Sequence, residues 1–254
     1  MADTAPWQLV TTELDRWAAD GRTARLWLRD DDAIAQTPAL ARLAAMAGDR
    51  AVPMLLAVIP LAAQPSLFAF LESASGIELA VHGARHLNHA PADRKSEEMA
   101  PERGRAAIAD DLRSARASLT ERLGATAGVW YVPPWNRIHP TVAAWLPEFG
   151  FTALSTFGAQ RVAVGTALVE INAHVDLIDW RDGRRGRSEG WVAAMLAEEL
   201  QKSRTGSGHA VGILAHHLAH DDACWTALAA LFNATCDHPA VAWTRPRDLI
   251  AMSP

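Results

Sequence analysis

The sequence predicts an α/β fold, a (β/α) barrel in one domain spanning residues 1–254. Three observations lead there. Short β-type runs alternate with longer helical runs about seven times, a pattern that calls for a parallel sheet with helical crossovers. Aspartates, histidines and tryptophans fall just past the C-terminal ends of five expected strands, and in a barrel those ends share the face where sites form. No Gly-rich turn follows the first strand, as it usually does in an open doubly wound sheet that gathers its ligand at one switch point.

Each element has a local reason. Residues 24–28 read as a strand that ends in Arg29-Asp30-Asp31-Asp32. A helix follows over about 38–47, with Pro38 suited to its first turn. Residues 54–59 are an unbroken apolar run, as expected of a strand buried on both faces. Residues 64–73 read as helix and 77–81 as the next strand, which ends in His82-Gly83-Ala84-Arg85-His86-Leu87-Asn88-His89. A polar insertion over 91–101 precedes a long helix at 102–123. Residues 129–132 form a strand that leads into Pro133-Pro134-Trp135-Asn136, and 140–149 are helical. Short strands at 153–155 and 168–171 come next, the second leading into His174-Val175-Asp176-Leu177-Ile178-Asp179-Trp180. Residues 190–202 carry Val192, Leu196 and Leu200 at helical spacing. A strand at 211–214 ends in His216-His217, Asp222 is placed to N-cap a helix running to about Cys236, and a last strand at 241–243 precedes a short helix.

Composition bounds the rest. At 50% hydrophobic and 21% charged the chain can bury one sizeable core and is not disordered. The longest apolar run, 51–63, contains Pro53 and Pro60 and falls short of the roughly 20 residues that span a bilayer. The first residues lack the basic and apolar regions of a signal peptide, so the expectation is a cytoplasmic protein without a membrane span. A net charge of −5 argues against nucleic acid as partner. Cys224 and Cys236 fall in one expected helix, about 18 Å apart at ~1.5 Å rise per residue, beyond disulfide reach. Arginine supplies all but Lys95 and Lys202 of the 24 basic residues, and there are ten tryptophans, a residue often found in the core that also supplies flat faces for stacking on a ligand.

The chemistry concentrates at strand ends. Asp30-Asp31-Asp32 places three like charges on the end of an apolar strand, a repulsion that a cation relieves; a solvated acidic turn is the plainer reading. His82-x-x-x-His86 puts two imidazoles on one face if the turn is helical, a spacing that suits two ligands of one metal, with His89 a further ligand or an outer partner. One carboxylate and two imidazoles with open positions make a catalytic site for zinc or iron. His216, His217 and His220 follow a strand with Asp221 and Asp222 close behind; a strand-end histidine can be a general acid near neutral pH, or part of a surface capping cluster.

Taken in order, these segments resemble the NodB-type polysaccharide deacetylases, carbohydrate esterase family 4. The matching elements are Asp30-Asp31-Asp32-Ala33, His82-Gly83-Ala84-Arg85-His86, Val132-Pro133-Pro134-Trp135, Asp176-Leu177-Ile178-Asp179-Trp180 and Leu214-Ala215-His216. The resemblance covers residues 26–217 and implies an irregular (β/α)7 barrel that deacetylates N-acetylated or O-acetylated sugars with one divalent metal ion. Zinc is the default, with cobalt, nickel and iron as alternatives. By resemblance Asp32, His82 and His86 hold the metal, Asp31 is the general base, His216 the general acid, and Asp179 orients His216. Trp135 and Trp180 wall the substrate pocket, with Pro134 and Asn136 beside them. The first motif also allows the register Asp30-Asp31, but Asp31-Asp32 leaves the small Ala33 where the family has Gly. Two departures stand out. Val132 occupies the position of an arginine that pairs with the catalytic aspartate in the family, leaving Arg137 or Arg29 as substitutes, and Gly83 replaces a Ser or Thr.

The segment Trp180-Arg181-Asp182-Gly183-Arg184-Arg185-Gly186-Arg187 carries four arginines. It reads as a solvated basic loop or as an anion clamp at the rim of a site, since guanidinium forks suit carboxylate and phosphate. The leading functional expectation is a metal-dependent carbohydrate deacetylase acting on a soluble glycan or glycan precursor. The alternatives are a metal-dependent hydrolase of another non-peptide amide, and a catalytically silent carbohydrate-binding barrel.

Overall fold

The structure, a computed structural model, describes residues 6–124, 128–160 and 167–252. In chain order its principal elements are α1 (Gln8–Ala19), β1 (Ala24–Ala33), α2 (Pro38–Asp49), β2 (Met54–Val58), α3 (Pro65–Ser73), β3 (Ile77–Val81), α4 (Arg105–Leu123), β4 (Trp130–Tyr131), α5 (Pro140–Ala143), β5 (Ala153–Leu154), β6 (Val169–Glu170), β7 (Ala173–Asp176), β8 (Ile178–Asp179), β9 (Arg185–Gly186), α6 (Glu189–Thr205), β10 (Val211–Ala215), α7 (Asp222–Thr235), β11 (Val241–Trp243) and α8 (Pro246–Met252). The strands run β6-β5-β4-β3-β2-β1-β10-β7, with β11 also paired to β1, and β8 and β9 form a separate hairpin. β1 pairs in parallel with β10 and β11, β10 with β7, and β3-β4-β5-β6 are parallel in succession.

The chain divides into two compact units. One comprises Met1–Asp30, Thr37–Met54 and Ala173–Pro246; the other comprises Asp31–Gln36, Leu55–Asn172 and Arg247–Pro254. In the first, α1 and α6 bury Leu14, Trp17, Leu196 and Leu200, and the Trp17 indole N–H donates to the Leu200 carbonyl at 3.2 Å. α2 starts as its sequence dictates, with Pro38 in the first turn and the Thr37 hydroxyl accepting from the Leu40 N–H at 3.1 Å. α7 is capped by Asp221, whose carboxylate accepts the Cys224 N–H at 3.0 Å, so the cap stands one residue before the Asp222 that the sequence suggests. Cys224 and Cys236 are both free thiols.

In the second unit, the expected apolar strand is β2, whose residues are all buried. α4 turns Ile108, Leu112, Ala115 and Leu119 inward at helical spacing. The helix expected over 140–149 breaks into α5 and a 3-10 turn at Leu146–Phe149, because Pro147 cannot supply the N–H that a continuous helix needs. No helix among the described residues is long and apolar enough to cross a membrane.

β1 is longer than its apolar core suggests. It continues through Arg29 and the three aspartates to Ala33, in register Asp30↔Ala215 with β10. β7, which the sequence reads only as a polar connection, is a strand with a register shift against β10 between Gly212 and Ile213. His174 is the extra residue at that shift, and its Nδ1 accepts the Gly212 N–H at 3.1 Å.

Candidate functional site

The site in the second unit is assembled from the ends of β1, β3 and β4. Asp32, His82 and His86 form a group of three potential metal ligands. His82 Nε2 lies 3.1 Å from Asp32 Oδ1, and His86 Nε2 lies 3.4 Å from the same oxygen. The other face of His82 shows which nitrogen carries a hydrogen. Its Nδ1 is 2.9 Å from the Val132 carbonyl oxygen, which can only accept, so Nδ1 carries the hydrogen. When the ring is neutral, Nε2 is then a bare lone pair facing a carboxylate oxygen. Two acceptors at that distance repel unless a cation or a proton lies between them. Bonds of ~2.0–2.2 Å at angles between octahedral and tetrahedral separate ligand atoms by about 3.0–3.4 Å, so the observed spacings fit the edges of a metal's coordination shell. A ligating histidine whose other nitrogen donates to a carbonyl is the usual arrangement at such centres. Burial, and next the neighbouring His82, pushes the His86 imidazole below its ordinary pKa against the pull of Asp32, which keeps it neutral and able to ligate.

The turn that presents the histidines is not the helical one that the spacing suggests. Residues 82–89 are irregular, with left-handed backbone at Gly83 (φ +64°) and His86 (φ +60°). What holds this loop is Glu98, contributed by the polar insertion and 1% exposed. Its carboxylate accepts the N–H groups of Ala84 at 3.0 Å, Arg85 at 2.7 Å and Leu87 at 3.4 Å. Gly83 is glycine for a steric reason: a Cβ there would lie 1.8 Å from Glu98 Oε2 and 2.7 Å from Pro134 Cγ. The Ser or Thr that the resemblance leads one to expect at this position would not fit beside this carboxylate anchor. His89 is exposed and stands outside the ligand group.

Trp135 packs on His86 with ring centroids 4.4 Å apart. It sits in the 3-10 turn Pro134–Asn136 with buried Pro134 ahead of it, and both Trp135 and Asn136 have φ of +55°. Asp32 is left-handed too, at φ +71°. Among the described residues, four of the six non-glycine positions with positive φ, namely Asp32, His86, Trp135 and Asn136, thus belong to this one site. Left-handed backbone costs a non-glycine residue roughly 1–2 kcal/mol, and such strain gathers where geometry serves function. Asp31 is buried beside Asp32 on β1. Arg137 hydrogen-bonds the Ser96 carbonyl at 3.0 Å.

The first unit holds the other candidates. Asp30 and His217 have fully buried side chains and meet at 2.5 Å through Oδ2 and Nδ1, while Asp30 Oδ1 accepts the His217 backbone N–H at 2.8 Å. Both oxygens of Asp30 are therefore engaged by His217, a partner the sequence reading did not assign. His216 is 8% exposed and meets the ring of Trp180 edge-on, centroids 4.7 Å apart. The Trp180 indole N–H donates to Asp176 at 2.8 Å. Asp179 bonds Arg187 at 2.9 Å and the N–H groups of Arg181 and Asp182 at 3.1 and 3.3 Å. Those backbone bonds, with Arg187 assisting, lower its pKa.

A second group, His174, Glu199 and His209, also has ligand atoms close together. Its chemistry points elsewhere. Because His174 Nδ1 accepts a backbone N–H, its neutral ring carries the hydrogen on Nε2 and has no lone pair there for a metal. Burial, followed by His209, Lys202 and Arg29, lowers its pKa to about 3, so it is a neutral hydrogen-bond acceptor for the irregular strand edge.

At the level of fold, the chain has the α/β architecture of the NodB-type polysaccharide deacetylases, the irregular (β/α)7 barrel of carbohydrate esterase family 4. A Mycobacterium smegmatis protein assigned as a polysaccharide deacetylase aligns with a TM-score of 0.67 at 20% identity, over 91% of this chain and 90% of that one. The family 4 carbohydrate esterase of Streptomyces lividans, solved with acetate, aligns at 0.56 and 16% identity over 86% and 91%. A Clostridium thermocellum family 4 acetyl xylan esterase, solved with a cobalt ion, aligns at 0.54 and 17% identity over 90% and 91%. No family model matches the sequence, and no curated protein matches it.

Proposed function

We propose that this chain is a metal-dependent hydrolase that removes an acetyl group from an N-acetylated or O-acetylated sugar or glycan precursor. The observation that carries this reading is the convergence of Asp32, His82 and His86, with His82 Nδ1 committed to the Val132 carbonyl and its Nε2 facing Asp32 at 3.1 Å. Asp32, His82 and His86 would hold one divalent ion, with zinc the default and cobalt, nickel or iron able to substitute. Such an ion lowers the pKa of bound water and polarises an acyl oxygen. Asp31 takes the proton from the attacking water. His216 gives a proton to the departing amine or alkoxide, while the edge of Trp180 fixes its ring. Trp135, with Pro134 and Asn136, walls the acyl pocket beside His86. Asp179 acts through the turn it organises with Arg187. The acetate and the cobalt ion seen with the two esterases above support the choice of acetyl group and of metal class.

The test is metal content by elemental mass spectrometry on protein loaded with zinc and then desalted, with His86→Ala as control, followed by acetate release from chitooligosaccharides and acetylated xylan. About one equivalent in the parent, absent from the variant, together with acetate release, is the expected result. Absence of metal from both proteins would overturn the hydrolase reading in favour of a barrel that only binds carbohydrate.

A further inference from the structure

The β8–β9 hairpin carries charges that the reading above leaves unused. Arg187 is engaged: its Nη1 donates to Asp179 at 2.9 Å, and its guanidinium lies 3.7 Å from the centre of the Trp191 ring. Arg181, Arg184 and Arg185 are different. All three are exposed, and none forms an ion pair with a carboxylate among the described residues. The segment 181–185 holds three exposed guanidinium groups against one carboxylate, Asp182, with Arg181 also acting on Asp179, in a chain whose net charge is −5.

The hairpin that carries them is fixed at its base. Ile178 pairs with Gly186, and Asp179 with Arg185. The Gly186 N–H donates to Asp221 Oδ2 at 2.9 Å, tying the hairpin to the residue that caps α7. A Cβ on Gly186 would lie 2.2 Å from Asp221 Oδ1 and 2.6 Å from the Cys224 nitrogen, so only glycine lets the strand seat this closely. The Arg187 N–H bonds the Leu177 carbonyl at 2.9 Å. The turn begins at Trp180, which is 41% exposed and whose ring meets His216. A hairpin anchored at its base thus carries three exposed guanidinium groups directly after the indole that touches the proposed general acid.

We propose that Arg181, Arg184 and Arg185 form an anion-recognition arm beside His216, which directs the enzyme to sugars that bear a phosphate or a carboxylate. This rests on the hydrolase reading above and adds its substrate class. Guanidinium forks match both anions. Because the three groups are exposed, each contributes modestly and together they supply about a tenfold preference, weakened by salt.

Two measurements test it. The first is binding by calorimetry at low salt, using glucosamine 6-phosphate, glucuronic acid and uncharged N-acetylglucosamine, with the parent and with R181E/R184E/R185E. The second is the ratio of kcat/KM for N-acetylglucosamine 6-phosphate over diacetylchitobiose. The parent is expected to bind one of the charged sugars at least tenfold tighter than the neutral one. Which of the two it prefers separates phosphate from carboxylate. The triple variant should lose that margin, and its kcat/KM ratio should fall about tenfold; R184A/R185A serves if the triple variant does not fold. Binding of charged and neutral sugars within twofold of one another, or a preference retained by the variants, overturns the arm. A charge preference that the variants abolish, in a protein that releases no acetate from any substrate, keeps the arm and removes the hydrolase reading.

Discussion

Replacing Glu98 by glutamine should weaken the proposed metal site without touching any of its proposed ligands. The carboxylate accepts two short backbone bonds, from Ala84 at 3.0 Å and Arg85 at 2.7 Å, and a longer one from Leu87 at 3.4 Å. Glutamine keeps the shape but has one acceptor oxygen where the carboxylate has two. One N–H of the loop then faces an NH2 group, with a buried donor left unsatisfied at about 1–3 kcal/mol. The bonds from Arg85 and Leu87 to the remaining oxygen lose their charge assistance, so the total loss is about 2–4 kcal/mol. This falls on the loop between His82 and His86, and changes to such supporting groups typically cost about 10–100-fold in metal affinity. Zinc affinity measured by competition with a chromophoric chelator should drop by that factor, and the thermal stabilisation that zinc confers should shrink with it. Glu102→Gln, in a half-exposed pair with Arg94, is the control and should stay within about 0.5 kcal/mol of the parent. If Glu98→Gln bound zinc within twofold of the parent and unfolded at the same temperature, the loop would not depend on this carboxylate and the argument would be wrong.

Other outcomes follow from the same geometry. Gly83→Ser should destabilise by about 2–4 kcal/mol because the new Cβ meets Glu98 and Pro134 on left-handed backbone; denaturant midpoints would check it. Asp30→Asn should cost about 2–4 kcal/mol by breaking its buried hydrogen bonds to His217, whereas Asp31→Asn should lower turnover by about 10²–10⁴-fold while retaining metal; equal loss of stability in the two would refute the division of roles. His174, held near pKa 3 when folded against an ordinary value near 6.5, stays neutral while the unfolded chain takes up a proton. Stability is therefore lost as pH falls below about 6.5, at up to about 1.4 kcal/mol per pH unit for this group. Urea midpoints of His174→Gln between pH 4 and 7 should show a slope shallower by about one proton.

The fold was legible because its signals are local. Strand-like and helical runs alternate, Pro38 and Pro140 mark helix starts, and polar residues collect after apolar strands. The convergence of Asp32, His82 and His86 was legible from residue type and order. What the sequence hid depends on partners far along the chain. A run of charges argues against strand, yet β1 continues through Asp30 because His217, 187 residues away, satisfies its carboxylate. Glu98 lies in a polar insertion with no periodicity, and its bonds are to backbone, which leaves no side-chain pattern to read. The spacing of His82 and His86 suggested a helical turn; the glycine at 83 and the left-handed His86 instead make a loop with the same consequence. His174 looks like a candidate ligand until the backbone donor on its Nδ1 is seen.

The left-handed residues at the site bear on how this protein would change under selection. At Asp32, His86, Trp135 and Asn136 glycine would relieve backbone strain, so part of the stability available to the chain lies in deleting the groups that the proposed chemistry needs. A laboratory search for heat tolerance alone would therefore drift toward glycine at these four positions and yield hardier, inert descendants. Screening that rewards retained metal alongside survival on heating would be needed to hold the site in place.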